Sequence, residues 1–254
     1  MERWRGQTAV VTGASAGIGR ASAAALGAAG MRVVALARRG ERLRALGADL
    51  EGVGCGPGSY LAVEADVKDR EALEGVPGRI RDRWGEGEGI DVLVNNAGLG
   101  TRGAGLMDGD PARWREMLEV NVVALCEMTR VATVDMERRG RWGQVTHLSS
   151  MAGHRVPPGE MGFYAGTKHM VSALAQGLRH EARGRGVPLR VGCISPGFVG
   201  TEFFSVQTGG ESAAAPVARP LLARDVAAAL VFQLSAPDHV DVNDILLRPL
   251  EQKT

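Results

Sequence analysis

An α/β architecture is predicted: a single doubly wound domain with a seven-stranded, mostly parallel sheet and helices on both faces. Three observations predict it. Short apolar runs alternate with helix-patterned segments along the whole sequence, the signature of successive βαβ units. A glycine-rich turn, Gly13-Ala-Ser15-Ala-Gly17-Ile18-Gly19, joins the first apolar run to the first helix. The length of 254 residues suits one domain spanning 1–254, because folds of this class often run undivided to about 200–250 residues.

The elements follow in order. Thr8–Thr12 reads as the first strand, and the alanine-rich helix after the glycine turn ends near Gly30, a natural residue to follow a helix. Val33–Ala37 is the second strand, Arg39–Leu50 a short helix and Tyr60–Glu64 the third strand. Lys68–Trp84 has helical character interrupted by Gly75 and Pro77, and Ile90–Val94 is the fourth strand. Asp110-Pro111 opens a long helix running to Arg139, with aspartate as cap and proline in the first turn. Gln144–Leu148 is the fifth strand, Gly162–Arg183 a helix and Val187–Ser195 the sixth strand. Residues 197–220 contain Gly209-Gly210, show weak periodicity and read as a lid. A helix at Arg224–Leu234 and a last strand at Asp244–Leu247 complete the series.

Composition narrows the function classes. With 30 basic and 29 acidic residues the net charge is +1, and aromatics make up 4%, which argues against a nucleic-acid partner. No apolar run approaches the roughly 18 residues of a membrane span, and the short apolar run after Met1–Arg5 suits a strand better than a signal peptide. Cys55, Cys126 and Cys193 are widely spaced and fit reduced thiols of a cytoplasmic protein. His147, His169, His180 and His239 show no metal-ligand spacing, and His154 reads as a surface loop residue. Asp238-His239 lacks the nucleophile elbow that a triad would need.

Chemistry concentrates in the stretch from Ser149 to Lys168. Tyr164 and Lys168 stand four apart on a helix and share a face. An ammonium beside a phenol is expected to lower the tyrosine pKa from about 10, toward the range useful for acid–base work. Ser150 ends the fifth strand, and ligands of open α/β sheets bind at carboxyl strand ends. Lysine is no default basic choice here, since the chain has only three: Lys68, Lys168 and Lys253. Near the N-terminus, Gly13, Gly17 and Gly19 suit a tight turn that lets backbone approach a pyrophosphate at a helix start.

Together these motifs resemble the short-chain dehydrogenase/reductase family. Asp66 in Ala-Asp-Val67, Asn95-Asn-Ala97-Gly98, Asn121 in Val-Asn-Val-Val and Ser195-Pro196-Gly197 follow in the family's order, covering almost the whole chain. The resemblance implies a Rossmann fold binding NADP(H). It implies that Tyr164 is the acid/base, that Ser150 binds the substrate carbonyl, that Lys168 holds the nicotinamide ribose and tunes Tyr164, and that Asn121 anchors a relay water. Gly13, Ser15, Gly17, Ile18 and Gly19 would cradle the phosphates, with Asp66 and Val67 at the adenine. Asn95, Ala97, Gly98, Pro196 and Gly197 would flank the cofactor, and Val199 and Thr201 would fix its carboxamide. Two departures stand out: Ser150 precedes Tyr164 by 14 residues, one more than in many members, and the Gly52–Gly58 stretch matches nothing.

After the second strand, the slot that is acidic in NAD-preferring enzymes is Ala37, followed by Arg38 and Arg39. Guanidinium groups suit a 2′-phosphate, so NADPH is the expected cofactor. Met1–Arg5, Gly153–Val156, Cys193–Gly197 and Arg248–Thr254 look like the matching stretches of a vertebrate member that reduces keto-steroids and other carbonyls. The expected activity is therefore NADPH-dependent carbonyl reduction on an apolar substrate, and Phe198, Phe203, Phe204 and Val206 supply apolar surface for it. The alternatives are a dehydrogenase of small hydroxy acids or sugar alcohols, or an NADP-binding protein without turnover. A homodimer or homotetramer is expected through the helices of 110–139 and 162–183, as family members commonly pair.

Overall fold

The computed structural model describes residues 1–52, 55–56, 58–203 and 217–253. Its frame is one seven-stranded sheet: β1 (Thr8–Thr12), β2 (Arg32–Ala37), β3 (Tyr60–Glu64), β4 (Val92–Asn95), β5 (Gln144–Leu148), β6 (Arg190–Pro196) and β7 (Asp244–Leu247). The spatial order is β3-β2-β1-β4-β5-β6-β7 and every pairing is parallel. The order reverses between β1 and β4, the switch point at which doubly wound sheets open a crevice.

Successive residues of each strand face opposite layers, as the pleat requires. Val10, Val34, Leu93, Val145 and Val191 meet one helical layer, while Ala9, Val11, Val33, Val92 and Val94 meet the other. Both layers are apolar, which explains why these strands read as continuous apolar runs. On one face α1 (Gly17–Ala28) packs against α8 (Ala223–Ser235), with Ala23 and Leu26 beside Val226 and Leu230. Also on that face is α2 (Gly40–Gly52), through Leu43, Leu46 and Leu50.

Two predicted helices are subdivided, each for a visible reason. The 68–84 helix is α3 (Arg70–Glu74) and α4 (Val76–Trp84), parted at Gly75 with Pro77 inside the first turn of α4. The long helix opens as expected, with Asp110 accepting from Ala112 N at 2.8 Å and Pro111 following. It is then α5 (Pro111–Leu118), one π-turn (Glu119–Val123) and α6 (Ala124–Arg139). Such π-turns are frequent at functional sites, and this one contains Asn121. The next helix, α7 (Gly162–Gly184), runs beside it. Phe204, Val206, Gly209 and Gly210 of the expected lid lie outside the described residues, as do 53, 54 and 57 of the Gly52–Gly58 stretch.

Candidate active site

A cavity of about 1640 Å³ opens over the carboxyl ends of the strands, from Ser15 and Arg38 to Tyr164 and Phe203. At its floor the glycine turn takes a shape that side chains resist. Gly13 and Gly17 have φ of +67° and +53°, in the left-handed region that favours glycine. Gly19 serves packing: a Cβ there would stand 2.4 Å from both Gly13 O and Asn96 Nδ2. Ser15, Gly17 and Ile18 line the cavity with Gly13, and Gly19 does not.

The turn is tied down by its neighbour across the switch point. Thr12 Oγ1 accepts from Asn96 N and Ala97 N, both at 3.1 Å. Asn96 Nδ2 donates to Thr12 O at 2.9 Å and to Gly13 O at 3.3 Å. This corrects the placement of Asn95 beside the cofactor. The Asn95 amide points the other way, donating to Thr129 Oγ1 at 2.9 Å and lying 3.2 Å from His147 Nδ1, and Asn95 does not line the cavity. His147, fully buried there, is pushed down to about 3 by burial, reinforced by the Arg179 and Lys168 charges.

At the β2 end the side chains are charged and wet. Ala37, Arg38, Arg39, Asp66 and Val67 line this end of the cavity. Arg38 lies 3.9 Å from Asp66 Oδ2. Arg39 donates to Ser15 Oγ through Nη2 (3.0 Å) and Nε (3.1 Å), and to Glu202 at 3.1 Å. Arg42 donates to Glu202 at 2.6 and 2.8 Å. Hydrogen bonds from Arg42 and then Arg39 hold the Glu202 carboxyl below the usual carboxylate range. Arg42 and Glu202 were not legible as site residues: one sits a helical turn beyond the arginine pair, the other more than 150 residues downstream.

At the opposite end the chemistry is buried. Ser150 caps the short 3-10 turn Met151–Gly153, accepting from Ala152 N at 3.1 Å, and its hydroxyl hydrogen-bonds the Tyr164 phenol. Lys168 Nζ donates to Leu148 O at 2.9 Å and stands 5.9 Å from the centroid of the Tyr164 ring. The expectation of a lowered tyrosine pKa is overturned. Burial pushes Tyr164 up to about 12 against the Ser150 hydrogen bond, and burial brings Lys168 down from 10.5 to about 8. The reason is that desolvation disfavours the charged form of each group, and the lysine's hydrogen bond goes to a carbonyl.

Asn121, 1% exposed, holds this end to the β4 loop. Its Oδ1 accepts from Leu99 N at 2.7 Å, while Nδ2 donates to Leu99 O at 2.8 Å and Thr167 Oγ1 at 3.0 Å. Thr167 in turn donates to Tyr164 O at 2.7 Å. Gly98 lies beside both, since a Cβ there would be 3.5 Å from Lys168 Nζ and 3.6 Å from Asn121 Oδ1. Pro196, Gly197, Val199 and Thr201 also line the cavity. His154 is exposed and outside it, with Nε2 2.9 Å from Ser195 Oγ. No cluster of potential metal ligands occurs among the described residues.

A family model described as short chain dehydrogenase matches residues 7–211. The chain belongs to the short-chain dehydrogenase/reductase family. This member is 41% identical over 260 residues to dehydrogenase/reductase SDR family member 11 of Bos taurus, covering 100% of both chains. It is 37% identical to farnesol dehydrogenase of Aedes aegypti, again with 100% of each chain covered. A solved closed form of serine dehydrogenase complexed with NADP+ superposes with a TM-score of 0.87 at 30% identity, covering 98% of this chain and 97% of that one. The chain is thus an oxidoreductase with a Rossmann fold. Its left-handed glycine turn, arginine-lined end and long cavity fit a phosphorylated dinucleotide. No helix among the described residues is long and apolar enough to cross a membrane.

Proposed function

We propose that the chain is an NADPH-dependent carbonyl reductase acting on apolar ketones, keto-steroids and dicarbonyls among them. NADPH supplies the hydride when bound. The observation that carries the reading is the convergence of Ser150, Tyr164 and Lys168 on one buried end of a cavity whose other end is lined by Arg38 and Arg39. Gly13, Ser15, Gly17 and Ile18 hold the pyrophosphate, Asp66 and Val67 the adenine, and Ala97, Gly98, Val199 and Thr201 the nicotinamide half. Arg38 and Arg39 pair with the 2′-phosphate, for which Ala37 leaves room without repulsion.

The residues of the chain then divide the work. Ser150 and Tyr164 donate hydrogen bonds to the carbonyl oxygen and polarise it. Tyr164, neutral because its pKa lies near 12, delivers its proton to that oxygen as charge develops. Lys168 sits against the tyrosine ring and offsets the phenolate that this leaves. Asn121, in its π-turn, fixes the Leu99 backbone and anchors a water of the relay through which Lys168 hands a proton to the Tyr164 phenolate and takes one back from solvent. Around the reacting end stand Met151, Ala152, Met161, Phe198, Phe203 and Val217, which favour an apolar substrate.

A second reading, oxidation of a small hydroxy acid, is favoured by the serine dehydrogenase neighbour and by Arg102 and Arg155 in the cavity lining, which suit a carboxylate. NADPH absorbance separates the two. Keto-steroids, quinones and dicarbonyls are expected to consume NADPH, while serine-like hydroxy acids with NADP+ give little; the reverse result would transfer the assignment. The protein is cytoplasmic and works as a homodimer or homotetramer through α5–α6 and α7. A monomer by light scattering at micromolar concentration would refute that assembly.

A further inference from the structure

The segment Arg248–Lys253 has no role in the scheme above, yet it reaches the cavity through Glu251, Gln252 and Lys253. Strand β7 ends at Leu247, whose carbonyl accepts from Gly197 N at 2.8 Å. A turn closed by Gln252 N donating to Pro249 O at 3.1 Å then brings the chain back over the end of β6. Leu250, on the outside of this turn, is 96% exposed, whereas Gln252 is 8% exposed. A buried amide needs a partner, and Gln252 Oε1 accepts from Phe198 N at 2.9 Å.

The backbone beneath is shaped to receive this side chain. A Cβ on Gly197 would stand 2.2 Å from Gln252 Oε1 and 2.9 Å from Arg248 Cβ, so any larger residue there would expel the carboxamide. The same segment reaches the stretch that leads into α8. Glu251 accepts from Arg219 Nε at 3.3 Å. Leu221 N donates to Phe198 O at 2.9 Å, and Gly200 N donates to Leu221 O at 2.8 Å. Phe198 is therefore held from two directions, directly before Val199, Thr201 and Phe203. The Phe203 ring centroid lies 6.0 Å from that of Tyr164, and Thr201 Cβ lies 3.2 Å from where a Cβ on Gly17 would be.

We propose that Gln252 is a positioning residue for hydride transfer: by fixing the Phe198 amide it sets where Val199, Thr201 and Phe203 stand relative to Tyr164. The inference rests on the reading that Val199 and Thr201 hold the nicotinamide carboxamide. Losing the acceptor removes the bond from Phe198 N, and with it the tie that holds the segment in this position. A displacement of about 1 Å at reacting groups can cost on the order of 10²-fold in rate. The phosphate and adenine ends are held elsewhere, at Gly13–Ile18 and Asp66, so overall affinity should change little.

Two variants of the full chain test this. Gln252→Met keeps the volume and removes the acceptor, and Gln252→Glu keeps an acceptor in place. The readouts are kcat, its isotope effect with NADPH deuterated at the transferred position, NADPH Kd by fluorescence, and Tm without cofactor. For Gln252→Met the expected result is a kcat about tenfold lower and a larger isotope effect. Its Kd should stay within about threefold and its Tm within about 4 °C of the parent. Gln252→Glu should recover most of the rate. An active parent with unchanged kcat and isotope effect in Gln252→Met would overturn the inference alone. So would a joint loss of kcat, affinity and Tm that Gln252→Glu does not rescue. A parent that consumes no NADPH with any carbonyl would refute the reductase reading, and the inference with it.

Discussion

The two ends of the cavity handle charge in opposite ways. At the β2 end the side chains of Arg38, Arg39, Arg42 and Glu202 are 70%, 46%, 42% and 50% exposed. Ion pairs so exposed contribute at most about 1 kcal/mol each, so they exchange partners cheaply, as the proposed 2′-phosphate contact requires of Arg38, now beside Asp66, and of Arg39, now on Glu202. At the β5 end Tyr164 and Lys168 are 8% and 4% exposed, and burial rather than their mutual attraction decides how they titrate. One end holds its charges in water. The other keeps a proton on a phenol by excluding water.

The largest expected effect breaks one end and spares the other. Tyr164→Phe removes the acid, and general acid catalysis contributes about 10²–10⁴-fold. Turnover should fall at least that far while NADPH Kd stays within about threefold. A normal rate would remove Tyr164 from the mechanism.

Next in size is the complementary cut. Arg38→Ala should lower kcat/KM with NADPH by about 10- to 100-fold, the loss of one charge-assisted contact or two, and change the value with NADH far less. Equal efficiency with the two cofactors in the parent would remove the arginine pair from cofactor choice.

A smaller effect concerns stability. The folded-state pKa of Lys168, about 8, lies below its ordinary value of 10.5. Below pH 8 the native protein therefore carries a buried charge that the unfolded chain would rather hold, and this destabilises the fold. The penalty fades as pH rises from 8 to about 10.5. Lys168→Met should thus raise the Tm of the cofactor-free protein by a few degrees at pH 7, and by less at pH 10. A lower Tm at pH 7 would show that the bond to Leu148 O outweighs the buried charge.

The wet end was largely legible in the sequence, because Arg38, Arg39, Asp66 and the glycine turn are adjacent to strands whose apolar runs are unmistakable. The strands β1, β3, β5 and β7 have the expected bounds for the same reason. What escaped depended on contacts distant in sequence. Strand β4 is buried on both faces, so no alternation told Asn95 from Asn96, and only the pleat sends one toward α6 and the other to the glycine turn. The π-turn at Asn121 leaves no mark in a sequence that reads as one helix. Glu202 and Gln252 meet their partners across 160 and 54 residues, beyond any local pattern. The lysine-beside-phenol rule misled because four-residue spacing fixes a shared face and says nothing about water.

That failure marks the most direct test of the claim that burial sets the catalytic acid. The chain has two tyrosines, Tyr60 and Tyr164, and burial pushes both up to about 12. In Tyr60→Phe, tyrosinate absorbance reports Tyr164 alone, and it can be followed with rising pH in the folded, cofactor-free protein. The expected result is no tyrosinate through pH 10, with the phenol ionising only near 12. A midpoint below 10 would contradict the account and restore the lysine as the group that sets the acid.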